Sequence, residues 1–103
     1  MNQVSKIDFI KAEKLKEKPD PDTLQFGKNF TDYMFMMDFD GENGWVNPII
    51  KPFESITLSP ASFVFHYGQA VFEGLKAYKT IDGRSVIFRP EKHIARLNAS
   101  CER

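Results

Sequence analysis

The segment HYGQAVFEGLKAYKTIDGRSVIFRPEKHIAR (residues 66–96) decides the fold, because it contains clear signals for a hairpin and a helix. Asp82-Gly83 lies between two apolar runs, and Asp-Gly in that position is typical of a tight β-hairpin. Pro90 follows the second run, and proline is well suited to the first residue of a helix. The segment therefore predicts two antiparallel strands, at residues 74–79 and 85–88, followed by a helix.

A second hairpin is predicted upstream of this segment. Residues 30–39 (FTDYMFMMDF) alternate in part as a β-strand does, and the turn-forming residues 41–44 (GENG) lead into a return strand that begins at Trp45. Prolines interrupt strand hydrogen bonding, so we expect Pro48 and Pro52 to keep the return strand at a sheet edge or in a loop.

Shorter elements are predicted around these two hairpins. Residues 55–58 and 63–65 are short strand candidates. A short helix with a thin apolar stripe is expected from Ser5, which with Asp8 resembles a capping box, to the residue before Pro19. Together these elements predict an α+β domain, with a mostly antiparallel sheet and flanking helices. We expect residues 1–103 to form a single domain or part of one, large enough for a modest core.

Composition restricts the possible functions. Fourteen basic residues balance fourteen acidic ones, which argues against nucleic acid or an anionic membrane as the main partner. A single cysteine, Cys101, and two histidines provide no internal disulfide and no metal-ligand cluster. No apolar run reaches the roughly 20 residues of a membrane span, and residues 1–18 lack the apolar stretch of a signal peptide. We therefore expect a cytoplasmic protein without a metal.

The residues that carry chemistry leave more than one interpretation open. Tyr67 is either a structural tyrosine or a side chain presented to a ligand. The carboxylate of Glu73 precedes a glycine, which is typical of a strand entry. Arg96 lies on the predicted helix, where an arginine is either solvated or an anion ligand. The ten phenylalanines indicate an aromatic core, an apolar pocket or a face covered by another domain.

A family resemblance narrows these alternatives. The run HYGQAVFEGLKAYKTIDGRSVIFRPEKHIARLNAS resembles the amino-terminal segment of branched-chain amino acid aminotransferases, which belong to the fold-type IV pyridoxal-phosphate enzymes. The similarity continues through LQFGKNFTDYMF and GWVNPIIKPFESITLSPAS and, more loosely, IDFIKAEKLKEKPDPD. Several spaced blocks thus agree in order over nearly the whole chain.

The resemblance implies specific roles. Arg96, in the block HIARL, matches the arginine that binds the phosphate of pyridoxal 5'-phosphate. Tyr67 and Phe72, in HYGQAVF, and Phe26, in QFGK, match residues that line the substrate pocket. Glu73 matches the family motif as a structural residue. The implied reaction transfers the amino group of leucine, isoleucine or valine to 2-oxoglutarate, in biosynthesis or degradation, within a homodimer.

The same resemblance implies that catalytic groups lie elsewhere. In this family a lysine that binds the cofactor belongs to a second, larger domain, and no lysine of this chain matches its position. We therefore expect no catalytic residue here, and we expect residues 1–103 to be an inactive amino-terminal fragment. The alternatives are a fragment of a D-amino acid aminotransferase or an aminodeoxychorismate lyase, and a non-catalytic interaction domain.

Overall fold

A computed structural model describes residues 6–103. The chain divides into two compact units, of which one ends at Ile56 and the other runs from Thr57 to Arg103. Within residues 6–103 the elements are five strands, two short 3-10 helices and one α-helix. This composition confirms the α+β class predicted from the sequence.

The first unit contains a three-stranded sheet. Its strands are β1 (Asp8–Phe9), β2 (Tyr33–Asp40) and β3 (Gly44–Pro52), in the order β1-β3-β2. Strands β2 and β3 form the predicted antiparallel hairpin, whereas β1 pairs with β3 in parallel. The sheet is therefore mixed. A 3-10 helix at Pro21–Thr23 lies between β1 and β2.

The expected position of β3 at an edge or in a loop was wrong, because β3 is the central strand. A β-bulge explains how a proline is accommodated there. Met36 pairs with Ile49 and Asp38 pairs with Val46, so one residue of β2 opposes two residues of β3. Pro48 is one of those two residues, and a bulge position does not require the ladder N–H that proline lacks.

The predicted helix near the amino terminus was also wrong where the structure describes it. Ser5 lies outside the described residues. From Asp8 onward the backbone bonds to the sheet, with the Ile10 N–H donating to the Ile50 carbonyl at 2.9 Å. Further along, the Ala12 N–H donates to the Tyr33 hydroxyl at 2.9 Å. These partners satisfy the backbone more effectively than a short helix with a thin apolar stripe.

The second unit contains a hairpin and a helix, as predicted. Strands β4 (Ala77–Lys79) and β5 (Ser85–Ile87) pair antiparallel, and Gly83 has a φ of 86° in the connecting turn. Only glycine adopts this left-handed backbone without steric cost, which explains the Asp-Gly signal. Helix α1 (Pro90–Cys101) begins at the predicted proline.

Two strand predictions in this part of the sequence were wrong. Residues 55–58 form no strand, and Phe63–Phe65 form a 3-10 helix. The Ser62 N–H donates to the Ser59 carbonyl at 2.9 Å, and the Tyr67 N–H donates to the Phe63 carbonyl at 2.8 Å. These local bonds curl the backbone immediately after Pro60, so the apolar run is not available for pairing in a sheet.

The described part of the chain has no buried core, since none of residues 6–103 is buried. The expectation of a modest core was therefore wrong for these residues. Aromatic side chains contact one another in pairs at the surface, as Phe39 and Trp45 do at a centroid separation of 5.3 Å. Most of the apolar surface of each unit faces solvent.

Candidate functional site

A charged cluster in the second unit is formed by Glu73 and two side chains of helix α1. The Nε atom of Arg96 donates to Oε2 of Glu73 at 2.6 Å, and its Nη2 atom donates to Oε1. Such two-point pairing fixes the plane of the guanidinium relative to the carboxylate. Glu73 precedes β4, whereas Arg96 lies in the second turn of the helix, so the pair joins segments 23 residues apart in the sequence.

His93 is the third member of this cluster. Its Nδ1 atom lies 3.6 Å from Oε1 of Glu73 and has no hydrogen-bond partner among the described residues. His93 and Arg96 are three positions apart, so the helix presents both side chains on one face. His93 is not among the site residues predicted from the sequence, although its spacing of three positions from Arg96 was a signal that could have indicated it.

The environment of Glu73 favours its ionised form. Hydrogen bonding by the Arg96 guanidinium is the largest cause that lowers the pKa of the Glu73 carboxyl, from 4.5 to about 2. Partial desolvation opposes this shift, and the Gly74 N–H, which donates to Oε1 at 3.1 Å, reinforces it. Conversely, the hydrogen bond to Glu73 raises the pKa of Arg96. Both groups are therefore charged at neutral pH.

Arg96 retains donors for a further anion. A guanidinium has five N–H groups, and Glu73 engages the Nε edge, where Nε and Nη2 each contribute one bond. The Nη1 atom has no partner among the described residues, and the Arg96 side chain is 66% exposed. A phosphate can therefore approach the outer edge, between Nη1 and Nη2, without displacing Glu73. The donor set fits a phosphate group, which is the kind of ligand predicted for Arg96.

Arg89, the other arginine near the start of α1, lies immediately before the helix. It is the N-cap residue and has a left-handed backbone with a φ of 46°. Its Nε atom lies 3.7 Å from Oε1 of Glu91, and both side chains are more than half exposed. This is a long surface ion pair, and pairs of this kind contribute little to stability. Arg89 therefore differs from Arg96 in its surroundings.

Tyr67 and Phe72, the predicted pocket residues of the second unit, are both exposed. The Tyr67 ring contacts Phe63 edge-on at a centroid distance of 5.3 Å, and its hydroxyl has no hydrogen-bond partner within residues 6–103. Phe72 is 91% exposed and adjoins Glu73 in the sequence. His66 is bonded as a structural histidine would be, with Nε2 2.6 Å from the Pro60 carbonyl oxygen.

Phe26, the third predicted pocket residue, belongs to the first unit. It lies at the start of a turn in which the Lys28 N–H donates to the Gln25 carbonyl at 3.2 Å, and its side chain is fully exposed. Gly27 in this turn has a φ of 72°.

An open groove of about 470 Å³ lies elsewhere in the first unit, and its lining includes Lys16, Leu24 and Phe30. None of the four predicted site residues lines this groove. It therefore lends no support to the predicted site.

No family model matches the sequence, but curated relatives do. The chain is 64% identical over 88 residues to branched-chain-amino-acid transaminase 1 of Bacillus subtilis (strain 168), covering 85% of this chain and 25% of that protein. It is 52% identical over 103 residues to a probable branched-chain-amino-acid aminotransferase of Staphylococcus aureus (strain MRSA252), covering 100% of this chain and 28% of that protein.

A mammalian protein is similar to a comparable extent. Identity to the cytosolic branched-chain-amino-acid aminotransferase of Rattus norvegicus is 45% over 95 residues, covering 92% of this chain and 23% of the rat protein. In these relatives the matched region is amino-terminal. The chain therefore spans about a quarter of the length of the curated relatives that it matches.

Proposed function

The chain belongs to the branched-chain-amino-acid aminotransferase family, whose amino-terminal quarter it matches, and on this premise we propose that it is part of such an enzyme. The complete protein would transfer the amino group of leucine, isoleucine or valine to 2-oxoglutarate. The observation that carries this proposal is the identity of 45% to 64%, over most of the chain, with relatives that are named as branched-chain-amino-acid transaminases or aminotransferases.

The proposed cofactor is pyridoxal 5'-phosphate, with Arg96 binding its phosphate. Support comes from the outer edge of the Arg96 guanidinium, which Glu73 does not contact while it holds the other edge. When bound, this cofactor supplies an electron sink that stabilises negative charge on the substrate α-carbon. Arg96 contributes binding and orientation, because a guanidinium is permanently charged and transfers no proton at physiological pH.

The proposed substrate wall is aromatic. Phe26, Tyr67 and Phe72 would cover the aliphatic side chain of the amino acid and exclude water from it. Each buried methylene contributes about 0.8 kcal/mol, so an apolar wall favours leucine, isoleucine and valine over smaller or polar amino acids. Support comes from the exposure of all three side chains, which leaves their faces available for contact.

The remainder of the enzyme would supply the catalytic lysine. We propose that residues 1–103 form part of the small amino-terminal domain of a fold-type IV enzyme and are inactive alone. The relatives are about four times as long as the matched region, which leaves ample sequence for a larger domain. The exposed aromatic side chains of both units would pack against that domain or against the second subunit of a homodimer.

We also propose a cytoplasmic location for the protein. The rat relative is named as cytosolic. Within residues 6–103, the helices are too short or too polar to cross a lipid bilayer.

Substrate profiling of the full-length enzyme tests the proposed function. Transfer from L-leucine, L-isoleucine and L-valine to 2-oxoglutarate is expected, with little transfer from D-alanine. Strong activity on D-alanine without activity on L-leucine would instead indicate a D-amino acid aminotransferase. Release of pyruvate from aminodeoxychorismate would indicate a lyase. Absence of any cofactor-dependent reaction in the full-length protein would favour a non-catalytic interaction domain.

A further inference from the structure

The Glu73 side chain is more enclosed than that of the arginine that it contacts. The Glu73 side chain is 8% exposed, whereas that of Arg96 is 66% exposed. The carboxylate accepts the Gly74 N–H at 3.1 Å, in addition to the two Arg96 donors, and the His93 ring lies beside it. A free arginine side chain loses rotamer entropy when it is fixed. A fixed carboxylate can offset that cost before a ligand arrives.

The geometry of the pair determines which edge of the guanidinium remains free. Glu73 takes the edge formed by Nε and Nη2, so two parallel bonds lock the guanidinium plane. The outer edge, Nη1 with the second Nη2 hydrogen, points away from the carboxylate. A phosphate needs two donors at this spacing for bidentate binding, and the outer edge supplies them.

We propose that Glu73 is a positioning residue that orients Arg96 for the cofactor phosphate, an inference that rests on the proposed function. Glu73 itself does not touch the phosphate. It holds Arg96 by one edge and thereby presents the other edge in a fixed direction. His93 borders the same carboxylate oxygen and restricts the movement of the carboxylate.

A competing role for Glu73 makes the opposite prediction. If the carboxylate were a competitor of the phosphate for Arg96, its negative charge would weaken anion binding and its removal would strengthen it. Positioning requires the reverse, because removal of the carboxylate would release a flexible arginine. The free outer edge favours positioning, since the phosphate need not displace Glu73.

The test compares two ligands in the full-length enzyme. Dissociation constants of the apoenzyme for pyridoxal 5'-phosphate and for pyridoxal are measured by fluorescence titration, and their ratio isolates the phosphate contribution. Glu73→Gln keeps the size of the side chain and removes its charge. We expect this change to lower the preference for the phosphorylated ligand by about tenfold, the order for one charge-assisted hydrogen bond. Glu91→Gln, a matched change at the exposed Arg89 pair, should leave the ratio unaltered.

A double-mutant cycle separates this inference from the proposed function. Arg96→Ala alone should lower the preference for pyridoxal 5'-phosphate over pyridoxal. Adding Glu73→Gln to this variant should not lower the preference further, because Glu73 acts through Arg96. A tighter phosphate preference in Glu73→Gln, or an equal loss with and without Arg96, would overturn the positioning role. An unchanged ratio in Arg96→Ala would instead overturn the phosphate role in the proposed function.

A conservative variant keeps the test decisive if Glu73→Gln fails to fold. Glu73→Asp retains the charge but withdraws the carboxylate by one methylene, so Arg96 loses its two-point contact. The phosphate preference should fall in this variant while binding of pyridoxal persists. Full retention of the preference would show that the position of the carboxylate is unimportant, and the inference would fail.

Discussion

The Nδ1 atom of His93 lies 3.6 Å from Oε1 of Glu73, the same oxygen that accepts a hydrogen bond from Nη2 of Arg96. One turn of helix α1 thus directs two side chains at a single carboxylate that precedes strand β4. The cluster depends on the helix register, since His93 and Arg96 share a face only because they are three positions apart. The ionisation state of Glu73 therefore bears on both neighbours.

The Glu73 carboxyl should titrate well below an ordinary glutamate. Arg96 and His93 face it, and hydrogen bonding by Arg96 is the largest cause that lowers its pKa from 4.5 to about 2. Because the folded-state pKa is lowered, the stabilisation is fully present above pH 4.5 and is lost as pH falls towards 2. Carbon-13 NMR of the labelled Glu73 carboxyl measures the midpoint. A native-protein midpoint in the usual range of a glutamate carboxyl would contradict the ion pair. In Arg96→Ala, the midpoint of Glu73 should return to that usual range.

Replacement of Asn47 by glycine should leave the stability of the protein nearly unchanged, whereas replacement by a β-branched residue should lower it. Its φ of 56° lies in the left-handed region within the bulge of β3. In this conformation a side chain branched at Cβ destabilises the folded state by about 1–2 kcal/mol, whereas glycine has no steric clash. Thermal unfolding of the full-length enzyme should show a lower midpoint for Asn47→Val and little change for Asn47→Gly. Equal midpoints for the two variants would contradict the left-handed backbone.

Local signals in the sequence predicted those elements that local interactions determine. The β4–β5 hairpin follows from the Asp82-Gly83 turn, and the start of α1 follows from Pro90. The β2–β3 hairpin likewise follows from its glycine-bounded turn and alternating apolar residues. In each case the decisive contacts lie within a few residues of the signal, so no knowledge of tertiary packing is required.

Elements that depend on distant partners were not predictable in the same way. The strand at Asp8–Phe9 exists because its neighbour is Ile49–Ile50, and the bulge at Pro48 depends on pairing with β2. At the candidate site, family resemblance named Arg96, but only the folded chain joins it to Glu73 across 23 residues. A hydrogen bond of that sequence separation leaves no local periodicity to detect.

The 103-residue chain on its own should bind an environment-sensitive hydrophobic dye or self-associate. None of its described residues is buried, and large apolar side chains such as Phe72 and Phe88 are mostly exposed. Apolar patches of several hundred Å² generally mark interfaces. Dye fluorescence and sedimentation measure these properties, with the full-length enzyme as the control that should bind less dye per molecule. A monomeric chain without dye binding would contradict the proposed packing against further structure.

Borohydride treatment of the 103-residue chain with pyridoxal 5'-phosphate should label no single lysine selectively. The family resemblance implies that the cofactor-binding lysine lies outside these residues, so only weak labelling spread over exposed amines is expected. Specific attachment requires a lysine activated by its surroundings and oriented towards the cofactor. Peptide mass spectrometry locates the label, and the full-length enzyme serves as the control with one dominant site. Selective labelling of one lysine within residues 1–103 would contradict the proposed division of roles.

Arg96→Ala in the full-length enzyme should weaken retention of pyridoxal 5'-phosphate by about ten- to a hundredfold, the range for losing charge-assisted hydrogen bonds. Arg96→Lys should recover only part of this loss, because an ammonium cannot give the bidentate contact of a guanidinium or hold both oxygens of Glu73. Arg103→Ala is the matched control, since that arginine follows the helix and lies outside the Glu73 cluster. Equilibrium dialysis gives the dissociation constants. Equal retention by the Arg96 and Arg103 variants would remove Arg96 from the phosphate site, whereas a selective loss at Arg96 would support its role as the phosphate ligand.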